Sequence, residues 1–446
     1  MHTSWTPESW KSYAASQQPE YDDLTELQEV LAVLRRLPPL VSSWEIDRLR
    51  TDMTRAQAGE AWVLQGGDCA ESFDDCQAES IASKIKVLLQ MSLVLIYGSR
   101  QKIVRIGRIA GQYAKPRSSS TESRDGQTLP SYRGDLINRS PFSHSHRRND
   151  PQLLLRGYER AAVTLNFIRA LSEGGFADLH HPENWDLTFV ADSPECERYQ
   201  RMVQSLGDAL RFIESIAPGP LTELRRVDFF TSHEALHLHY EQALTRQSVR
   251  GTGWYNFGTH FPWIGERTRA ITGAHVELLR GIRNPLGIKV GPTAIAQEIV
   301  DLTRRLNPEN EPGRITLIHR VGNQSIGETL PKLVEEITRS NLHVLWICDP
   351  MHGNTVSTNS GHKTRRFDDV LAELRTSFAV HRQCGTRLGG VHLELTGENV
   401  TECLGGASGL TEADLHTAYN TSCDPRLNYE QAMEIAFSIA DEIQQP

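Results

Sequence analysis

A series of short apolar runs, each ending in polar or glycine-rich residues, constrains this chain more than any other feature. The runs are Ala61–Leu64, Ile103–Gly107, Val227–Phe230, Trp254–Phe257, Leu286–Ile288, Ile315–Ile318, Val344–Ile347 and Gly390–Leu393. Near-continuous apolar runs fit strands of a parallel sheet covered on both faces, since neither face then needs alternating polar residues. Helical spacing lies between most of them, as in Ile295 to Leu306 and Leu330 to Ile337. Eight strand–helix alternations predict an α/β protein built as a (β/α)8 TIM barrel, and a doubly wound sheet is the alternative that the same periodicity allows.

Two segments fall outside the repeat. Residues 1–60 read as an N-terminal helical extension with two helices, one opening at Thr6-Pro7-Glu8 with proline in its first turn and one over Leu24 to Leu37. The gap of over 100 residues between the second and third runs is too long for one crossover. It predicts an inserted helix pair after strand 2, at about 150–217, from Leu153 to Leu171 and Tyr199 to Ile216, with Pro182 and Pro194 between. Residues 61–446 then form the barrel that carries the chemistry.

Composition narrows the class. The 446 residues are 39% hydrophobic and 23% charged, which is globular rather than disordered usage. A net charge of −9 argues against a bulk nucleic-acid binder. The longest apolar stretch, Val87 to Tyr97, is interrupted by Gln90 and Ser92 and is too short to span a bilayer. The acidic Glu8, Glu20, Asp22 and Asp23 speak against a transit peptide. Seven scattered cysteines without a CxxC pair suit reduced thiols. The expectation is a cytoplasmic protein with no nucleic-acid or membrane partner. No GxGxxG or GxxxxGK[ST] motif occurs, so neither a dinucleotide nor a nucleoside triphosphate is indicated.

Barrel chemistry gathers where the carboxyl ends of all strands open onto one face. Cys69, His352 and Glu394 follow the first, seventh and eighth runs, and Asp424 lies in Thr421-Ser422-Cys423-Asp424-Pro425-Arg426. One thiolate, one imidazole and two carboxylates would suit a divalent transition metal better than magnesium or calcium. Taken singly, Cys69 also reads as a small core residue and His352 as a loop hydrogen-bonder. Arg108, Lys115, Arg117, Arg267, Lys289 and Arg320 fall at the same ends, and only eight of the 47 basic residues are lysines. Clustered, these cations would hold two phosphate or carboxylate groups.

The motifs themselves carry a resemblance. QGGDCAESF from Gln65, RIAGQYAKPRS from Arg108, LPSYRGD from Leu129, TSHEAL from Thr231 and WIGERTR from Trp263 occur in that order. GIKVGP from Gly287, HRVGN from His319, DPMHGNT from Asp349, HLELTGENVTECLGG from His392 and SCDPRLN from Ser422 follow. The chain closely resembles type II 3-deoxy-D-arabino-heptulosonate 7-phosphate (DAHP) synthases, entry enzymes of the shikimate pathway. The resemblance implies one divalent metal, manganese or cobalt, on Cys69, His352, Glu394 and Asp424. It implies a phosphoenolpyruvate pocket at Arg108, Glu234, Glu266, Lys289 and Arg320, lined by Trp263. The phosphate of erythrose 4-phosphate would sit on Lys115, Ser118 and Arg267. Lys115, Glu234, Glu266, Lys289 and Arg320 are the expected catalytic groups. The expected assembly is a homodimer or homotetramer, and some family members bind aromatic amino acids or dock chorismate mutase. Another phosphosugar aldolase, or a non-catalytic anion-binding barrel, is the rival reading of the same fold. Cys423 beside Asp424 also suggests a thiol pair with Cys69.

Overall fold

The computed structural model describes residues 5–173, 195–216, 227–249, 251 and 253–445. Its centre is a closed barrel of eight parallel strands. They are β1 (Ala61–Gly67), β2 (Lys102–Arg108), β3 (Phe230–Glu234), β4 (Phe261–Ile264), β5 (Leu286–Val290), β6 (Ile315–His319), β7 (Leu345–Cys348) and β8 (Leu388–Glu394). Helices α1 (Leu24–Leu34) and α2 (Ser43–Ala58) precede the barrel. After β1 comes α3 (Ala78–Ser99), and after β2 come α4 (Gln152–Glu173) and α5 (Cys196–Ile216). The remaining strands are followed by α6 (Leu238–Leu244), α7 (Ala274–Arg280), α8 (Ala296–Leu306), α9 (Ile326–Arg339), α10 (Phe367–Gln383) and α11 (Tyr429–Gln444). Pro182 and Pro194 lie outside the described residues.

Register places the chemistry. Gly67 pairs with both Arg108 of β2 and Glu394 of β8, and Glu234 of β3 pairs with Trp263 of β4. Parallel pairing therefore sets these side chains at the same height around the barrel mouth. Below them the interior is filled by Val63, Val104, Ile106, Phe230, Phe261, Ile318, Leu345 and Ile347. Leu49, Met53 and Ala56 of α2 join that cluster, so the N-terminal extension plugs the opposite, amino end of the barrel. The helix starts at a capping box between Ser42 and Glu45 and stops at Gly59, whose φ of 82° suits glycine.

Several expectations are corrected. The third strand is Phe230–Glu234 rather than Val227–Phe230, and Trp254–Asn256 belongs to a small antiparallel hairpin with Thr245–Gln247. The true fourth strand contains Pro262, which reads as a strand breaker. Polar Thr231 and Ser232 sit inside a strand because the fold supplies partners: Ser232 Oγ donates to Gly107 O at 3.0 Å, and Thr231 N–H to His260 Nδ1 at 3.0 Å. The helix expected at Thr6 is only a 3-10 turn, Ser9–Ser12, since Ala14 is drawn into a bridge with Gly273. The second N-terminal helix, α2, has no apolar run to announce it, because its sequence is largely polar. α3 runs twice the length of the apolar stretch read within it; by length and composition alone it could cross a membrane, yet it is mostly buried inside the protein.

Candidate active site

Every residue singled out above as a ligand, a substrate contact or a catalytic group lines one cleft of about 540 Å³ at the carboxyl ends of the strands. Ligand atoms of Cys69, Glu394 and Asp424 lie within 4.8 Å of one another. His352 joins through Nε2, 2.9 Å from Glu394 Oε1, while its Nδ1 lies 2.7 Å from Asp349 Oδ2. With Nδ1–H donated to Asp349, Nε2 faces Glu394 as a second N–H donor in the imidazolium, and as a metal ligand once that proton is displaced. The Lys115 ammonium sits 2.6 Å from both Cys69 Sγ and Asp424 Oδ2, bringing positive charge to the same spot. A thiol, an imidazole and two carboxylates so disposed fit a divalent transition metal.

The electrostatics are those of a buried site. Burial raises the Cys69 thiol well above its ordinary pKa, so a metal taking that sulfur must displace a proton. Glu394 is also buried, but His352, Arg365 and Arg108 hold its carboxyl well below the usual range. Asp424 is held low by Lys115, and Lys115 is held protonated by Cys69, Cys423 and Asp424. Neighbouring Cys69 and Lys115 lower the Cys423 thiol below its ordinary value, and neither cysteine is in a disulfide.

Around this floor the cations are already committed. Arg108 donates from Nε to Asp68 O (2.8 Å), and from Nη2 to Cys69 O (3.0 Å) and Glu394 Oε1 (3.0 Å). Its Nη1 meets His392 Nε2. Four of its five N–H groups thus tie the loop after β1 to Glu394 and His392 of β8, and one remains uncommitted. Lys289 pairs with buried Asp349, and burial brings its pKa down to about 8. Arg320 donates to His352 O at 2.8 Å and keeps a buried Nε without a partner. Arg267, on the exposed rim, donates to Ser118 Oγ at 3.0 Å.

The two glutamates differ. Glu266 accepts from Gly291 N–H (2.7 Å) and from Arg269 (2.8 Å). Glu234 keeps Oε1 buried and unpartnered, and burial raises its pKa. Gly265 leaves room for this position of the carboxylate, since a Cβ there would lie 2.0 Å from that oxygen and push the side chain elsewhere. Trp263 stands edge-on to His392, with ring centroids 5.4 Å apart, and has the Arg108 guanidinium over its face.

Residues not singled out earlier complete the site. Lys363 donates to Asp424 Oδ1 at 3.0 Å, and fully buried Arg365 lies 2.7 Å from Glu394 Oε2. Both lie in a hairpin, Thr355–Ser357 with Lys363–Arg365, that folds over β7. Lys84 of α3 and Arg426 grip the buried Asp68 carboxylate at 2.5 and 2.7 Å, steadying the residue beside Cys69. The scarcity of lysine was a usable signal for Lys84 and Lys363. Nothing local marked Arg365.

Fold and site together define a class: (β/α)8 barrel proteins that bring a group of side chains able to hold a metal and a ring of fixed positive charge to one mouth. The particular lineage follows from comparison with known proteins. The model of the class-II DAHP synthetase family matches residues 5–440, and the chain belongs to that family. It is 50% identical to phospho-2-dehydro-3-deoxyheptonate aldolase of Streptomyces coelicolor over 97% of this chain and 96% of that one. It is 47% identical to the protein of the same name from Neurospora crassa, over 99% of this chain and 95% of the relative. A solved DAHP synthase structure from Thermotoga maritima covers 86% of this chain and 69% of its own at 13% identity, with a TM-score of 0.35, which adds nothing to the barrel seen here.

Proposed function

We propose that this protein is a DAHP synthase: it condenses phosphoenolpyruvate with erythrose 4-phosphate and water, releasing DAHP and inorganic phosphate at the first step of the shikimate pathway. The observation that carries this reading is one cleft in which Cys69, His352, Glu394 and Asp424 adjoin Arg108, Lys289, Arg320, Lys115 and Arg267. A divalent metal, manganese or cobalt, would supply Lewis-acid polarisation of the aldehyde when bound on those four ligands.

The chain's own groups then account for the remaining chemistry. Lys289, Arg320 and the last N–H of Arg108 hold the carboxylate and phosphate of phosphoenolpyruvate, with Trp263 as a wall. Arg267, Ser118 and Lys115 hold the phosphate end of erythrose 4-phosphate. Both anions are fixed before reaction, so the methylene carbon and the aldehyde meet at contact distance. Protonated Lys115 delivers or relays a proton to the aldehyde oxygen as the carbon–carbon bond forms. Positive charge at the former enol carbon is met by water, whose proton passes to a carboxylate. Glu234 suits that task better than Glu266, because its Oε1 is unpartnered while both Glu266 oxygens are engaged. Collapse of the adduct expels phosphate.

Seven free cysteines support a reducing, cytoplasmic setting, and a homo-oligomer is the assembly that the family resemblance implies. The test is phosphate release from phosphoenolpyruvate, measured with and without erythrose 4-phosphate, first in chelator and then with manganese or cobalt restored. Release requiring both the second substrate and the metal is the expected result, and release in chelator alone would overturn the metal assignment.

A further inference from the structure

Three consecutive residues of the N-terminal segment each reach a different loop at the barrel mouth. Gln17 brackets one residue of the loop after β2: its Nε2 donates to Arg117 O at 3.2 Å, and its Oε1 accepts from Arg117 N–H at 3.0 Å. Gln18 does the same after β3, with Nε2 donating to Leu236 O at 2.8 Å and Oε1 accepting from Leu238 N–H at 2.9 Å. Ser16 Oγ donates to Arg267 O after β4 at 3.4 Å, the longest of these bonds. A side-chain amide carries a donor and an acceptor side by side, so it can hold an N–H and a C=O of one loop together.

The segment is itself held under strain. Gln17 has φ +60°, a region that costs a residue other than glycine on the order of 1 kcal/mol and persists only where surrounding contacts impose it. Those contacts are present. Arg133 Nη2 donates to Gln17 O at 2.7 Å, and the Arg133 carbonyl accepts from Lys115 N–H at 2.9 Å. Upstream, Ala274 N–H donates to Ala14 O at 3.0 Å, fastening the other end to α7.

Ser16, Gln17 and Gln18 do not line the cleft, whereas Lys115, Arg117, Ser118 and Arg267 do. We infer that Ser16–Gln18 is a clip that sets the spacing between the loops after β2 and β4, which makes Gln17 a positioning residue for the phosphate end of erythrose 4-phosphate. The inference rests on the reading above that Lys115, Ser118 and Arg267 form that subsite. Arg267 and Ser118 stand on separate loops and are joined directly only through their side chains, at 3.0 Å; the clip adds a hold on the backbone of both loops, Gln17 on Arg117 and Ser16 on the Arg267 carbonyl.

The test uses steady-state kinetics on the full-length metal-loaded enzyme. Gln17→Gly suits the positive φ and removes only the side-chain bonds. It should raise KM for erythrose 4-phosphate about tenfold, within what the loss of its three side-chain hydrogen bonds, two with Arg117 and one from Arg133 Nη2 at 3.2 Å, can cost. KM for phosphoenolpyruvate should stay within about twofold, and the thermal midpoint should not fall. Gln17→Glu keeps the acceptor for Arg117 N–H and should show a smaller rise. A general structural role would instead raise both KM values or lower the midpoint, and either result overturns the inference. Arg267→Ala separates the two readings. If it raises KM for erythrose 4-phosphate while Gln17→Gly does not, only the clip is wrong; if Arg267→Ala leaves that KM unchanged, the subsite reading fails and the clip falls with it.

Discussion

The floor of the cleft and its rim are built on opposite terms. On the floor, Glu394, Asp349 and Arg365 are fully buried, and Cys69 and Lys289 nearly so. At the rim, Ser118 and Arg267 are exposed, and Lys363 is half exposed. A buried charge must be matched by another, because water cannot screen it, so removing one group strands its partner. An exposed charge is already solvated, so removing it costs little beyond the contact it makes. The floor therefore couples activity to stability. The rim can adjust substrate affinity without touching the fold.

The sharpest break would come at Cys69. Cys69→Ser should lower metal-dependent phosphate release about a thousandfold, the factor carried by several kcal/mol of Lewis-acid stabilisation, while phosphoenolpyruvate still binds. Full activity in that variant would remove Cys69 from the ligand set. Next comes Arg365→Met, which leaves the Glu394 carboxylate without its guanidinium partner. A loss of about 3–5 kcal/mol is expected in urea unfolding at pH 7. A loss below about 1 kcal/mol would erase the contrast between floor and rim.

Arg267→Ala addresses the rim, with KM for erythrose 4-phosphate expected to rise about tenfold at unchanged stability. The pH profile probes the boundary between the two regions. Burial lowers Lys289 to about 8, so it is charged below that pH and neutral above it. Capture of phosphoenolpyruvate, read as kcat/KM, should fall as pH rises through about 8. Between about 8 and 10.5 the unfolded chain binds more protons at this site than the folded one, so this residue's contribution to stability rises with pH while capture falls. A flat alkaline limb would show that Lys289 does not hold the anion. Smallest of all, Lys363→Ala removes a half-exposed partner of Asp424 and should change activity only a few-fold, the scale of under about 1 kcal/mol.

Much of this arrangement was legible along the chain. Six of the eight apolar runs overlap the barrel strands at or near their read positions, because a strand buried on both faces must be apolar nearly throughout. The two failures, at β3 and β4, share a cause. Thr231, Ser232 and His233 are polar, Pro262 looks like a breaker, and only neighbouring strands make them tolerable. The residues proposed as ligands and substrate contacts were legible as motifs, most of them at or just after the carboxyl end of a strand. Their supporting groups were not. Arg365 stands 29 residues before Glu394 on an unrelated hairpin, and Gln17 lies 100 residues before Arg117.

The sequence by itself determined the alternation of strands and helices, the residue types at each strand end and the membership of the family, because these depend on local pattern and composition. Only the tertiary structure decided that α2 plugs the barrel, that Glu234 rather than Glu266 keeps an oxygen free, and that two adjacent glutamines clip loops far apart in the chain. The physical reason is common to all three. Burial and hydrogen-bond satisfaction are properties of what surrounds an atom, and those surroundings come from segments dozens to hundreds of residues away.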